Sequence, residues 1–231
     1  MSPKIRLSLF LVLCLFLPFC AGGLLAFSGE SITYDIRPVG KAEYRDLGST
    51  ELDGKKVNLS TFQTKVFNFD DTEKIFSDPK SSLPLRVERY IKMWPNKEYL
   101  VETYNQDNFS LKIEKFVKQK KVKEYAYTAK GPVYNAVLLP FSLRNLSRLD
   151  VGWTMSVSLP AEFTVKIVSI EEIEVPAGKF RAYHFTSNPN KFEIWISCDE
   201  LRLPLKIKDT GGMGYTFLMK ERRVQKTRTG S

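Results

Sequence analysis

Apolar and polar residues alternate along most of this chain, which is the period of a half-buried β-strand rather than of a helix. Ile32, Tyr34 and Ile36 alternate with polar neighbours in 31–37. Val57, Leu59 and Thr61 do the same after Asp53-Gly54, a pair that favours a tight hairpin. The pattern predicts further strands over 87–94 and 99–104, with Pro95-Asn96 between them, and over 109–117 and 122–128. In the carboxyl half it predicts strands over 163–175, 180–186, 192–198, 203–208 and 215–221, punctuated by Gly, Pro, Asn and Asp. Helix is scarce. The candidates are 135–139 and 141–149, with Pro140 limiting any helix that would join them. Short strands this frequent predict a mainly β, antiparallel architecture with one or two short helices.

The amino terminus breaks the pattern. Lys4 and Arg6 precede an apolar run from Leu7 to Leu17, followed by Pro18 and small residues at Ala21, Gly22 and Gly23. That order is a secretory signal, and the expectation is an exported, periplasmic protein with 1–28 as its signal peptide. Small residues at both flanking positions mark two cleavage points, before Leu24 and before Gly29. A membrane span needs about 20 apolar residues. Extension through Leu24, Leu25 and Phe27 reaches that length, so a membrane-anchored form is the alternative. Residues 29–221 are expected to form one β domain, and 222–231 a disordered basic tail.

Composition sharpens this picture. The 231 residues carry 35 Lys+Arg, 26 Asp+Glu and three Cys, a net charge of +9. With the signal set aside, 33 basic and 26 acidic residues remain, for a charge of +7, together with Cys198 alone. A disulfide scaffold and a multi-Cys zinc module are thereby excluded. Cys198 lies in phase with Phe192, Ile194 and Ile196, so it is expected in the core. The positive charge crowds one hairpin, at Lys112, Lys115, Lys118, Lys120, Lys121 and Lys123. Nucleic acid is an improbable partner for an exported chain. An anionic membrane surface fits such lysines, as does protection of a sheet edge against pairing.

Candidate chemistry is thin. His184 is the single histidine, and no Gly-x-Ser-x-Gly elbow occurs. Pairing 180–186 with 192–198 sets His184 opposite Ile194, and leaves Cys198 roughly 13 Å further along at about 3.3 Å per residue. A His–Cys pair is therefore out of reach. Asp70-Asp71 and Asp199-Glu200 are adjacent pairs, which point to opposite faces of a strand and read as solvated turn residues. Gly211-Gly212-Met213-Gly214 lacks the Lys-Ser/Thr of a phosphate loop. No cofactor or metal is expected. Tyr44, Phe62, Tyr90, Trp94, Tyr104, Trp153 and Trp195 form an aromatic excess that serves either as core or as the lining of a concave apolar site.

Several of these segments resemble a known family. Gly29-Glu30-Ser31-Ile32-Thr33-Tyr34-Asp35-Ile36, Leu83-Pro84-Leu85-Arg86-Val87 and Val175-Pro176-Ala177-Gly178-Lys179-Phe180 are similar to segments of a bacterial exported family catalogued as a domain of unknown function. Ile194-Trp195-Ile196-Ser197 and Asp199-Glu200-Leu201-Arg202-Leu203-Pro204 extend the resemblance, which covers about 29–221. It implies a strongly curved antiparallel sheet, a half-barrel similar to those of the periplasmic lipoprotein carrier and the violacein-pathway enzyme. The lysine-rich stretch 112–123 departs from it. The leading expectation is a non-catalytic envelope protein that binds a lipid, a glycolipid or an envelope partner. Trp94, Trp153, Trp195 and His184 are its candidate ligand contacts. Lys115, Lys118, Lys120, Lys121 and Lys123 are its candidate membrane or partner surface. A small enzyme using His184 with a nearby carboxylate, and a structural interaction module, are the other readings.

Overall fold

The computed structural model describes residues 29–212 and 214–225; the expected signal peptide and most of the expected tail lie outside them. The amino-terminal arm runs through β1 (Glu30–Arg37), β2 (Lys41–Leu52), β3 (Lys55–Val66), β4 (Phe69–Ser77), β5 (Pro84–Met93), β6 (Asn96–Asn105), β7 (Ser110–Val117) and β8 (Lys120–Thr128). A connector containing the short helix α1 (Leu139–Leu143) leads to β9 (Thr154–Leu159), β10 (Ala161–Val175), β11 (Gly178–Asn188), β12 (Phe192–Ser197), β13 (Pro204–Asp209) and β14 (Thr216–Val224). All strands join one sheet in the order β8-β7-β6-β5-β4-β3-β2-β1-β14-β13-β12-β11-β10-β9. Each arm is a meander of antiparallel neighbours, and the first and last strands zip the arms together at the centre, from Glu30↔Val224 to Arg37↔Thr216. Arg222 and Arg223, which the sequence pattern assigns to a tail, therefore belong to β14.

The sheet curls without closing. Bulges between Asp46 and Gly48, Thr33 and Tyr34, Phe76 and Ser77, and Ile167 and Ser169 add twist along both arms. Gly48 shows how one is built: its φ is +77°, and its N–H donates to Asp46 Oδ1 at 2.8 Å. Inward positions of the strands then meet across the curl. Ile32, Tyr34 and Ile36 from β1, Ile75 from β4, Val87 from β5 and Leu205 from β13 share one buried cluster. Each such side chain contributes about 1.5–3 kcal/mol of burial.

The connector bridges the open side. Val133 forms a parallel bridge with Ser158 of β9, and Tyr134 N–H donates to Ser158 O at 2.9 Å. At the far arm, the Gln106 side chain donates to Val133 O at 2.9 Å and accepts from Val133 N–H at 3.1 Å. Helix α1 is seated between two clusters. Leu138 and Phe141 join the main one, while Leu139 and Leu143 join a second with Val165, Ile167, Phe185, Ile194 and Ile196. The helix spans Pro140 instead of stopping at it, because proline falls in the first turn, where its missing N–H has no partner to lose. Asn135 prepares that start, with its side-chain oxygen accepting from Leu138 N–H at 2.9 Å. Phe141 stacks on Tyr44 with centroids 3.7 Å apart, which pins the helix to β2.

Candidate functional site

Inside the curl lies a cavity of about 500 Å³, at the end of the sheet where the β1–β2, β3–β4, β5–β6 and β13–β14 connections turn. Ile36, Phe62, Val66, Phe69, Met93, Val137, Tyr215 and Phe217 form its walls, drawn from both arms and the connector. Asp71, Glu73 and Arg89 supply its polar floor. The volume falls within the range of ligand cavities, about 300–1,000 Å³, and the mix of apolar walls with a few converging polar groups is typical of them.

Strand periodicity builds the floor. Asp71, Glu73 and Ile75 stand on one face of β4, and Val87 and Arg89 on the same face of β5, with Glu73 directly opposite Arg89. Arg89 forks onto the Asp71 carboxylate, with Nε 3.0 Å from Oδ1, and approaches Glu73 Oε1 at 3.5 Å. Asn135 of the connector reaches Glu73 Oε2 at 3.4 Å. Next door on β6, the Tyr104 hydroxyl donates to Glu102. Three carboxylates thus surround one guanidinium. Burial pushes the Glu73 carboxyl up to about 7, with Arg89 pulling the other way, and also raises Glu102. At neutral pH Glu73 is poised between a hydrogen-bond donor and an acceptor. Phe69 pairs with Met93 at the hairpin ends, four residues before the Glu73↔Arg89 pair. The floor therefore starts at Asp71, about 7 Å inward from an apolar rim, and reaches about 13 Å at the Glu73↔Arg89 pair.

The aromatic and histidine candidates do not converge on this cavity. Trp94 sits at the β5–β6 turn and is 85% exposed. Trp153 packs edge-on against Phe185 in the second cluster, at 6.2 Å. Trp195 is buried in β12, where it faces His184 across the strands, not Ile194: the hairpin register is shifted by one residue from the sequence expectation. The shift stacks the His184 ring on the Trp195 indole at 4.2 Å, with Lys206 Nζ 4.1 Å from the Trp195 ring centroid. Trp195 Nε1–H donates to Glu171 Oε1 at 2.5 Å. His184 Nε2 lies 3.0 Å from Glu193 Oε2. This is a cross-strand ladder of rings and charges within the sheet.

Cys198 is half-buried just past the end of β12 instead of in the core, and its burial pushes the thiol up. The lysine hairpin is β7–β8, at the edge of the sheet, and every residue of β8 is exposed. Several of its charges are already paired. Lys112 and Lys121 reach Glu114, Lys121 also reaches Glu124, and Lys115 reaches Glu98 at 2.8 Å. Lys123 lies over the Tyr125 ring, while Lys118 and Lys120 stand at the turn.

Residues missed by sequence reasoning supply the cavity floor. Asp71 is buried, not solvated at a turn, because β4 runs through it. An available signal was the spacing Asp71-x-Glu73-x-Ile75, which places two acids and an aliphatic on one strand face. Among the described residues no cluster of His, Cys, Asp and Glu has metal-binding geometry, and no helix is long and apolar enough to cross a membrane.

Fold and cavity together define a curled, open antiparallel sheet with a partly apolar interior, the class of β-barrel-like proteins. Within it, this chain belongs to the family described as protein of unknown function DUF3108, whose pattern matches residues 31–220. No curated protein matches the chain. Among solved structures, a β-barrel-like protein of domain of unknown function DUF1849 from Brucella abortus is similar. The likeness has a TM-score of 0.51 at 10% identity, and covers 85% of this chain and 98% of that one. A candidate exported protein with a YmcC-like fold from Bacteroides fragilis also matches, with a TM-score of 0.34 at 11% identity over 85% of this chain and 96% of that one.

Proposed function

We propose that this is an exported, non-catalytic envelope protein that holds an amphiphilic ligand inside its curled sheet. The supporting observation is the 500 Å³ cavity, with its apolar rim and a floor of Asp71, Glu73 and Arg89. The secretory pattern of the first 28 residues supports the envelope location. An apolar chain would lie along Phe62, Val66, Phe69 and Phe217, with its polar end on the floor. More carboxylates than guanidiniums face that end, so a hydroxyl-bearing or neutral headgroup is favoured over a phosphate or free acid. A sugar or glycerol end meets the description.

Titration with N-phenyl-1-naphthylamine, a probe that brightens in apolar sites, tests the reading. Saturable binding, displaced better by monoacylglycerol than by the matching fatty acid, is expected. Absence of saturable binding by the folded chain would count against it.

A further inference from the structure

The end of the sheet at which the cavity opens carries a second feature, which the cavity does not require. Phe67 at the β3–β4 turn is 92% exposed, and Trp94 at the β5–β6 turn is 85% exposed. No other large apolar side chain among the described residues is as exposed as these two. They are neighbours, because Phe69↔Met93 pairs the two hairpin ends, and they line one surface recess of about 370 Å³. Neither folding term explains a bulky apolar residue at these tips. Phe67 buries almost nothing and adopts φ +47°, a conformation that costs a bulky residue energy. Turns of this kind favour Asn, Asp or Gly.

Charge accompanies the rings. Lys65 and Lys92 flank the recess two residues behind the aromatic tips, on either side of Asp70, and Lys97 is the second residue of the return strand. Among the described residues none of the three forms an ion pair, unlike Lys112, Lys115 and Lys121 of the β7–β8 hairpin. Val39 and Met93 add exposed apolar area at the same end. Rings projecting furthest, with three ammonium groups against the one Asp70 carboxylate in the recess behind them, are complementary to a lipid surface. The rings enter the interface, where amphipathic aromatics are favoured, and the lysines meet anionic headgroups.

We infer that the Phe67–Trp94 end is a docking surface for an anionic membrane. The rim residues Val66, Phe69 and Met93 lie beside these tips, so docking presents the cavity mouth to the bilayer. The inference does not depend on what the cavity holds.

Sedimentation of the mature chain with phosphatidylcholine vesicles, with and without phosphatidylglycerol, tests it. The protein should sediment with the anionic vesicles, and Phe67→Ser/Trp94→Ser should weaken partitioning about tenfold or more. Leu201→Ser, at the opposite end, should leave it unchanged. Lys65→Gln/Lys92→Gln/Lys97→Gln should remove most of the preference for phosphatidylglycerol. In the unsubstituted protein, brominated acyl chains should quench tryptophan fluorescence, because Trp94 inserts while Trp195 is buried. No sedimentation with any vesicle, or wild-type partitioning by a correctly folded Phe67→Ser/Trp94→Ser variant, overturns the inference. So does concentration-dependent dimerisation that the same variant abolishes, which would assign the patch to a second copy of the chain. Probe binding in the cavity is a separate readout, so either result can fail alone.

Discussion

Arg144, just past helix α1, lies 2.6 Å from Glu30 at the head of β1, and both side chains are buried. The pair spans 114 residues of sequence and ties the connector to the seam where the two arms meet. Arg222 of β14 joins Glu30 from the other side at 2.5 Å. Arg222 still pairs with Glu30 when Arg144 is removed, whereas removing Glu30 strands the buried Arg144 charge, so Glu30→Gln should lower stability by about 3–5 kcal/mol. Glu30→Gln/Arg144→Met should recover part of that loss. Urea unfolding of the single and double variants measures the coupling, and equal losses would show that the pair acts only as packing.

Glu73 predicts a pH dependence. Its carboxyl is raised from 4.5 to about 7 by burial, so the folded chain holds a proton that the unfolded chain releases. The unfolded state binds fewer protons across that interval, and stability falls as pH rises from about 4.5 to about 7. The stabilisation is complete below 4.5 and lost above 7, and the span corresponds to about 3 kcal/mol. Glu73→Gln should flatten this slope in denaturation midpoints measured from pH 4.5 to 8. An unchanged slope would place the titration elsewhere.

The His184–Trp195–Lys206 ladder is expected to act through packing. Trp195→Ala removes a buried indole and its hydrogen bond to Glu171, and should cost about 3–5 kcal/mol. His184→Gln keeps a polar side chain but loses the ring stack, and should cost about 0.5–1.5 kcal/mol. Thermal melts compare the two, and an inverted order would point to a role for the imidazole beyond stacking.

Gln106 clasps the connector to the amino-terminal arm, donating to both Pro84 O and Val133 O. Gln106→Ala leaves buried or half-buried backbone groups unpaired, a loss of about 1–3 kcal/mol. The loss should be local. Hydrogen exchange at Val133 and Tyr134 should accelerate while the centre of the sheet at β1 and β14 stays protected; uniform acceleration would mean that the clasp stabilises the whole fold instead.

Most strands were legible in the sequence, including β5 with its inward Arg89 and β10 with its bulge, but β2, β4 and β9 were not. β1 announces itself through Ile32, Tyr34 and Ile36. β4 does not, because Asp71 and Glu73 occupy its inward face and erase the contrast with the outward one. In β2 the bulge at Gly48 changes the phase after Tyr44, so no single alternation runs its length. β9 buries Val157 and Ser158 in succession. The β11–β12 register escaped by one residue because the Ser187 hydroxyl organises the turn, accepting from both Lys191 and Phe192 N–H groups. That single step exchanges Ile194 for Trp195 opposite His184. The cavity itself is a property of the curl and connector, which bring Phe62, Val137 and Phe217 together from distant parts of the chain.

Native mass spectrometry of the protein, purified from cells that produce it naturally, tests the proposed interior amphiphile site most directly. Thr64 lines the cavity directly opposite Asp71, and Thr64→Trp would obstruct it at the edge of the polar floor. The wild-type protein should carry a bound amphiphile with a hydroxyl-bearing headgroup, and folded Thr64→Trp protein should not. Wild-type protein that is free of ligand, or a Thr64→Trp variant that carries the same load, would contradict it.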